Sequence, residues 1–249
     1  MVSGERALLV LLVAFAAALL GGMSGGSASA LTTPAWLAMG VPLPTAVATD
    51  KLAGACWTLL GARNYLARRA VDWRLLAGMT VLGLLGAWFG ALVTVKLDPV
   101  LLKRVVGGAI LLLILVMLLR PRLGAVPGPI RLSRPATGVF ALPLGFYEGM
   151  LGSGNSLVAT LLFCWGRGYD LIGALGHYYV LAFFWCALAA ASYIGHGYAD
   201  VALMVPATAG SCAGGYLGSR IATERGTHFV RGLFEVVGSA LGLKLLLGL

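Results

Sequence analysis

Long apolar runs with few charges constrain this chain more than any other feature of its sequence. Eight runs lie at about 7–22, 44–62, 73–95, 99–119, 136–151, 171–194, 199–219 and 228–248. A helix needs about 20 apolar residues to span a bilayer. Backbone polar groups in lipid must be paired within the protein, and a helix pairs its own. The runs therefore predict an all-α, polytopic membrane protein with about eight transmembrane segments.

The overall composition argues against a water-soluble fold. The mean hydropathy of the 249 residues is +0.93 and only 11% are charged, against about 25% in a typical soluble domain. The net charge is +9, but the basic residues lie mainly between apolar runs, where they anchor helix ends to lipid. We therefore expect a multi-pass protein of the cell (plasma or inner) membrane, with the lipid bilayer and no nucleic acid as partner. The four cysteines show no CxxC spacing, so no metal and no cofactor is expected.

The two halves of the sequence resemble each other. A polar linker rich in arginine and proline, at about 120–135, divides the chain almost in half. A shift of about 127 residues aligns small residues in a consistent order: Gly25 with Gly152, Ser29 with Ser156, Thr33 with Thr160, Gly86 with Gly214 and Gly90 with Gly218. Such an order predicts an internal duplication, with transmembrane repeats over 1–122 and 136–249 joined by a linker at 123–135.

The N-terminal segment also has the features of a signal peptide. Residues 6–30 contain an arginine, an apolar core and the small residues Ala28-Ser29-Ala30, a combination typical of a cleavage site. The repeat gives this segment a counterpart in the middle of the chain, where no signal peptide can lie. We therefore expect the mature protein to keep its N-terminal segment.

Two glycine-rich segments, 21–34 and 149–156, occupy equivalent places in the two halves. Paired breaks of this kind are the best sequence indication of a transporter binding site, because the new helix N-terminus attracts anions. The alternative is that small residues only allow helices to pack closely. The predicted substrate-binding residues are Gly25, Gly26, Ser27, Ser29, Thr33, Thr49, Asp50, Gly152, Ser153, Gly154, Asn155, Ser156 and His177.

Ionisable residues inside the apolar runs are further candidates. A charge at the bilayer centre costs about 2.5–3.5 kcal/mol, so such residues usually face a cavity or a partner. Asp50, Glu148 and His177 are candidates for coupling transport to protons. The alternatives are a local ion pair between Asp50 and Lys51, and a neutral, hydrogen-bonded His177 in the protein interior.

These motifs resemble those of a known family. A glycine-rich break with Pro34 nine residues after Gly25, followed by Ala46-Val-Ala-Thr49, resembles the TauE/SafE family of sulfite and organosulfonate exporters, and so does Val71-Asp-Trp-Arg-Leu75. The resemblance extends over about 10–248 and implies secondary transport of small sulfur-containing anions rather than enzymatic activity. The chain departs from the family pattern by serines in place of glycines and by Asp50 and His177 in place of serine.

Two other functions are compatible with the sequence. An anion channel could have the same fold. Gly22-Met-Ser24-Gly25 matches the Gly-x-Ser-Gly of rhomboid proteases, in which His177 would be the base. A four-residue match of glycine and serine is expected by chance in a chain with 36 glycines, so a transporter that binds a small anion is favoured. A homodimer is one compatible oligomeric state.

Overall fold

The structure, a computed structural model, describes residues 4–67, 69–93, 108, 110–112, 114–115, 118–119 and 122–247. Within these ranges we number ten helices. They are α1 Gly4–Ser24, α2 Ser29–Ala38, α3 Leu43–Leu66, α4 Trp73–Val93, α5 Arg134–Val139, α6 Ala141–Met150, α7 Asn155–Arg167, α8 Leu171–Gly195, α9 Val201–Arg225 and α10 Thr227–Leu247. The apolar run predicted at 99–119 lies largely outside the described residues.

Side-chain caps explain why several helices begin where they do. The side chain of Asp170 accepts a hydrogen bond from the backbone N–H of Gly173 at the start of α8, and Asp200 does the same for Leu203 in α9. An aspartate at this position satisfies an N–H group that has no partner within the helix. The predicted run 136–151 forms two short helices, α5 and α6, instead of one.

Four of the described helices are long and apolar enough to cross a membrane: α1, α4, α8 and α9. Large apolar side chains such as Val81, Leu85 and Phe89 of α4 lie exposed on the surface, as expected where lipid is the solvent. Helices α3 and α10 are as long but carry ionisable residues, among them Lys51 and Arg231. The structure is that of a helical membrane protein, and the count of eight spans stays a prediction.

Glycines make the closest contacts between helices. Helix α9 packs along α1 and α4 packs along α6. A methyl group added to any of five glycines would collide with a backbone carbonyl oxygen of the facing helix. The contacts are Gly210 with Leu11, Gly214 with Phe15, Gly218 with Leu19, Gly86 with Leu142 and Gly90 with Phe146. Small residues at such positions let two backbones approach each other, which is how helices associate without water to drive them.

We expect Gly86→Ala to destabilise the protein, because its methyl group would meet the carbonyl oxygen of Leu142. Overpacking of this kind costs about 1–3 kcal/mol. Gly78→Ala on the same helix is the control, since no atom lies within 4 Å of an added methyl group there. Alanine should even favour the helix at Gly78 by about 1 kcal/mol. Thermal unfolding of both variants in detergent tests this, and equal melting temperatures would contradict the close α4–α6 contact.

Candidate functional site

Both glycine-rich segments break a helix. The first break separates α1 from α2, and there Gly25 has a φ of +70°. The second break separates α6 from α7, with φ of +73° at Gly152 and +84° at Gly154. Glycine adopts this left-handed conformation without the steric cost that a side chain would add. The composition of these segments therefore accounts for the places where the chain leaves the helix.

Tyrosine hydroxyls satisfy carbonyl groups on the N-terminal side of each break. Tyr65 donates a hydrogen bond to the carbonyl oxygen of Gly22, and Tyr179 donates to that of Gly21 at 3.0 Å. At the second break Tyr193 donates to the carbonyl oxygen of Gly149 at 3.3 Å. The last carbonyls of a helix have no partner within it. Tyrosines of α3 and α8 therefore pair carbonyl groups at the C-terminal ends of α1 and α6.

The two breaks meet through serine hydroxyls. Ser27 Oγ lies 2.7 Å from Ser29 Oγ, which lies 3.2 Å from Ser153 Oγ in the other half of the chain. Ser27 Oγ also donates to the carbonyl oxygen of Gly152 at 3.4 Å. The N-termini of α2 and α7 follow directly on these serines. Two helix N-termini, each with a partial positive charge, therefore lie at one place.

A polar cavity lies at this junction. The space open to a water-sized sphere is about 40 Å³, enough for about three water molecules. Its wall contains two carboxyl groups, those of Asp50 and Glu148, and the ammonium group of Lys51. Hydroxyl groups supply most of its other polar atoms: those of Ser27, Ser29, Thr32, Thr58, Ser156, Tyr178, Tyr179 and Ser211. The cavity thus combines hydroxyl donors with one buried cation.

The buried cation forms an ion pair across the site. Lys51 Nζ of α3 lies 2.8 Å from Glu148 Oε1 of α6, and the two side chains are 3% and 7% exposed. Glu148 Oε2 accepts hydrogen bonds from Asn155 Nδ2 and Tyr178 Oη, both at 2.7 Å. The thiol of Cys186 lies 3.3 Å from Oε1. One carboxylate therefore joins α3, α6, α7 and α8.

The model for the family described as "Sulfite exporter TauE/SafE" matches residues 10–245. The chain belongs to the TauE/SafE sulfite exporter family. It is 27% identical over 234 residues to a "Probable membrane transporter protein" of Haemophilus influenzae, a match that covers 94% of this chain and 91% of the relative. It is 28% identical to the "Probable membrane transporter protein YfcA" of Escherichia coli K12, with 94% and 87% covered. No solved structure matches the chain. The family and these relatives support a membrane transporter.

Asp50 of this TauE/SafE protein is bound to α2. Its carboxylate accepts hydrogen bonds from Thr33 Oγ1 at 2.5 Å and Trp36 Nε1 at 2.8 Å. The local ion pair considered between Asp50 and Lys51 is not the one observed, because the lysine pairs with Glu148. Successive residues of a helix point about 100° apart, which directs these two neighbours to different partners.

The hydroxyl group of Ser156 is available to a ligand in the cavity. Ser156 is the second residue of α7, is 3% exposed and lines the cavity. None of the described residues forms a hydrogen bond with Ser156 Oγ. A buried polar group without a partner costs about 1–3 kcal/mol. A bound anion that accepts from this hydroxyl would remove that cost.

The structure divides the predicted binding residues into two groups. Those that line the cavity are Gly26, Ser27, Ser29, Asp50 and Ser156. Other predicted residues do not line the cavity but form the turns, connect the two breaks, or accept a hydrogen bond from or donate one to a neighbouring side chain. These are Gly25, Thr33, Gly152, Ser153, Gly154 and Asn155, while Thr49 donates to the carbonyl of Thr45 in its own helix. Lys51 was not among the predicted binding residues, although a charge within an apolar run indicates a cavity or a partner. The tyrosines of the site belong to no recognisable sequence motif.

His177 lies in a different cluster. Its Nε2 accepts a hydrogen bond from the backbone N–H of Asp72 at 3.2 Å, its Nδ1 lies 2.7 Å from the carbonyl oxygen of Gly173, and its ring stacks on Tyr169. It is not among the described residues that line the cavity. Asp50 and His177, both predicted to bind the substrate, therefore lie in different places, and both ring nitrogens of His177 already have partners.

Ser24 and His177, the two residues of the protease alternative, each have other hydrogen-bond partners. Ser24 Oγ donates to the carbonyl oxygen of Leu20 at 2.7 Å and accepts from the N–H of Gly26 at 3.0 Å. A nucleophilic serine needs its base within hydrogen-bond reach. Ser24 therefore supports the first break, and His177 supports the start of α8.

Asp72, beside His177, connects three segments. It accepts hydrogen bonds from Arg134 Nε at 2.9 Å and from Arg167 Nη2 at 3.2 Å. Burial opposes the charge of Asp72, but the hydrogen bond and charge of Arg134 and the charge of Arg167 hold the pKa of this carboxyl below its ordinary value of 3.8. The cluster joins the α3–α4 loop to the start of α5 and the end of α7.

We expect Lys51→Met to destabilise the TauE/SafE protein more than the double variant Lys51→Met/Glu148→Gln. The single change leaves a buried carboxylate without its cation, which costs about 3–5 kcal/mol, whereas neutral replacement of both partners is often well tolerated. Thermal unfolding of the parent, both single variants and the double variant gives the coupling. Additive losses would show that the pair is not energetically coupled.

We expect Asp72→Asn to lower stability by about 1–3 kcal/mol, because the amide lacks the negative charge that pairs with buried Arg167. A carboxyl with a lowered pKa stabilises the fold above its unfolded-state pKa, and this contribution is lost as the pH falls through the folded value. The parent should therefore lose stability below about pH 4, and the asparagine variant should lack this part of the loss.

Unfolding curves from pH 3 to 7 measure the effect of Asp72→Asn. Glu224→Gln is the control, since its pair with Arg220 is exposed on α9. Exposed pairs of this spacing contribute only about 0.3–0.5 kcal/mol. Equal stability of the two variants would show that Asp72 does not join these segments.

Proposed function

We propose that the chain is a secondary transporter that exports small sulfur-containing anions, such as sulfite or organosulfonates, across the cell membrane. The observation that carries this proposal is the meeting of two helix N-termini at one cavity, each preceded by a glycine-rich break. Unpaired N–H groups and the helix dipole favour anions at such places. The description of the family as a sulfite exporter supports the choice of substrate.

The chemistry of the cavity suits an oxyanion. A sulfonate carries one negative charge over three acceptor oxygens, so it needs several donors that converge from different directions. Ser27, Ser29 and Ser156 offer hydroxyl groups, and Lys51 offers an ammonium group. The small volume of about 40 Å³ favours a compact anion over a bulky one.

We propose that the two halves, 1–122 and 136–249, form a duplicated pair around this site, with the run at 99–119 completing about eight segments. The glycine contacts support it. Gly86 faces Leu142 of α6, and Gly214 faces Phe15 of α1. The shift of about 127 residues aligns Gly86 with Gly214 and Phe15 with Leu142. The glycine belongs to the first half in one contact and to the second half in the other. Rocking of such halves about a shared site is how many transporters alternate access.

Flux measurements on the purified protein in liposomes test the transporter and separate it from a channel of the same fold. We expect saturable uptake of sulfite or methanesulfonate that exchanges with the same anion inside, and little uptake of acetate. A current that grows linearly with concentration would favour the channel. Absence of flux for all sulfur-containing anions would reject the substrate class.

We expect the double variant Ser27→Ala/Ser156→Ala to bind anions more weakly and to remain folded. Each lost hydrogen bond to a charged ligand should cost about 1.5–3 kcal/mol, or roughly 10-fold or more in affinity. The control is Thr208→Val, which removes a buried hydroxyl that also has no hydrogen-bond partner among the described residues and does not line the cavity. Titration of each variant with methanesulfonate measures affinity, and unchanged binding by the double variant would place the site elsewhere.

A further inference from the structure

The ion pair inside the cavity has a consequence for anion binding. Lys51 is the one lysine or arginine among the described residues that line the cavity. Its Nζ lies 2.8 Å from Glu148 Oε1, so its charge is already neutralised by a carboxylate of the protein. An anion that enters the cavity therefore meets a site with no net charge from this pair.

Glu148 is bound as an anionic ligand would be bound. An ammonium group, an amide, a phenol and a thiol surround its two oxygens, from Lys51, Asn155, Tyr178 and Cys186. These are donors that a sulfonate could also use. Glu148 lies two residues before the end of α6 at Met150 and lines the same cavity as Ser27 and Ser156.

We propose that the transported anion and the Glu148 carboxylate compete for Lys51, so that the anion binds when Glu148 has taken up a proton. The inference rests on the proposed function, because it concerns the same cavity and substrate class. In the binding step a proton from water adds to a Glu148 oxygen, and the ion pair between Oε1 and Nζ opens. The ammonium of Lys51 keeps its charge and receives the anion.

Charge balance supports this exchange. Before binding, Lys51 and Glu148 carry one positive and one negative charge and sum to zero. After binding, the ammonium, a neutral carboxylic acid and a monovalent anion again sum to zero. A second anion at Lys51, without a proton on Glu148, would add uncompensated negative charge to a buried site whose wall also contains Asp50, which is costly at low dielectric. One proton would accompany each monovalent anion.

The other titratable groups near the pair do not offer the same exchange. Asp50 of α3 is held by Thr33 and Trp36 of α2 and does not pair with Lys51. Phenols and thiols ordinarily keep their protons near neutral pH. Those that face the pair are Tyr147 of α6 and Tyr178, Cys186 and Tyr193 of α8. Glu148 is therefore the group whose proton would release Lys51.

The decisive variant is Glu148→Gln, which keeps the size of the side chain and removes the competing charge. We expect it to bind methanesulfonate at least tenfold more tightly than the parent at pH 8, with an affinity that stays constant from pH 5 to 8. The affinity of the parent should fall by about tenfold per pH unit once Glu148 is ionised, as one linked proton requires. Methanesulfonate is the probe because its own charge does not change over this range.

Two controls separate this effect from a general loss of charge. Glu224→Gln removes one carboxylate from the exposed part of α9, and His177→Gln removes an imidazole that does not line the cavity. Both should keep the pH dependence of the parent. A Glu148→Gln variant with the parent's pH dependence, or with weaker binding at pH 8, would overturn the inference and leave Glu148 with a structural role.

A measurement on the parent protein alone covers the case in which Glu148→Gln does not fold. Methanesulfonate is added to the full-length protein in detergent and weak buffer at pH 8, and the proton uptake is titrated. About one proton taken up per anion bound supports competition for Lys51, and binding without proton uptake overturns it. If the parent does not bind methanesulfonate, sulfite or thiosulfate at any pH, the proposed function fails together with the inference.

Discussion

The structure depends on how backbone carbonyl and N–H groups find hydrogen-bond partners where two helices break inside an apolar fold. A broken helix leaves carbonyl groups without partners on one side of the break and N–H groups without partners on the other. The hydroxyl groups of three tyrosines donate hydrogen bonds to carbonyl oxygens of the helices that precede the breaks: Tyr65, Tyr179 and Tyr193. The N-termini of α2 and α7 instead lie beside serines and a cavity. The two helix N-termini therefore contribute partial positive charge to the site.

Close helix packing brings the two breaks together. Glycines such as Gly86 and Gly214 let α4 and α9 approach the backbones of α6 and α1, the helices that run into the breaks. A side chain at either position would push the paired helices apart and move one end of a break. The small residues of this chain thus have two roles, close packing along the helices and left-handed turns at the breaks, and the site needs both.

Much of this could be predicted from the sequence. The apolar runs located most of the described helices, and the glycine-rich segments 21–34 and 149–156 located the breaks, because both signals are local. The partner of Lys51 could not be predicted, since Glu148 lies 97 residues away and packing alone brings the two together. His177 was assigned to the site because, like Asp50, it stands where the family pattern has serine. Alignment fixes a position along a helix but not which neighbours occupy its hydrogen bonds, and Asp72 and Gly173 occupy those of His177.

The Lys51–Glu148 pair is difficult to explain by stability alone. A buried ion pair often stabilises a fold no better than two apolar residues of the same volume, because desolvation cancels most of the attraction. Asn155, Tyr178 and Cys186 surround Glu148 with further donors, so the protein commits several helices to hold one carboxylate in a cavity. Such an arrangement becomes useful if the carboxylate can be replaced. A site that holds its own anion avoids an unpaired lysine between two rounds of transport, and it makes release of that lysine the event that admits a substrate.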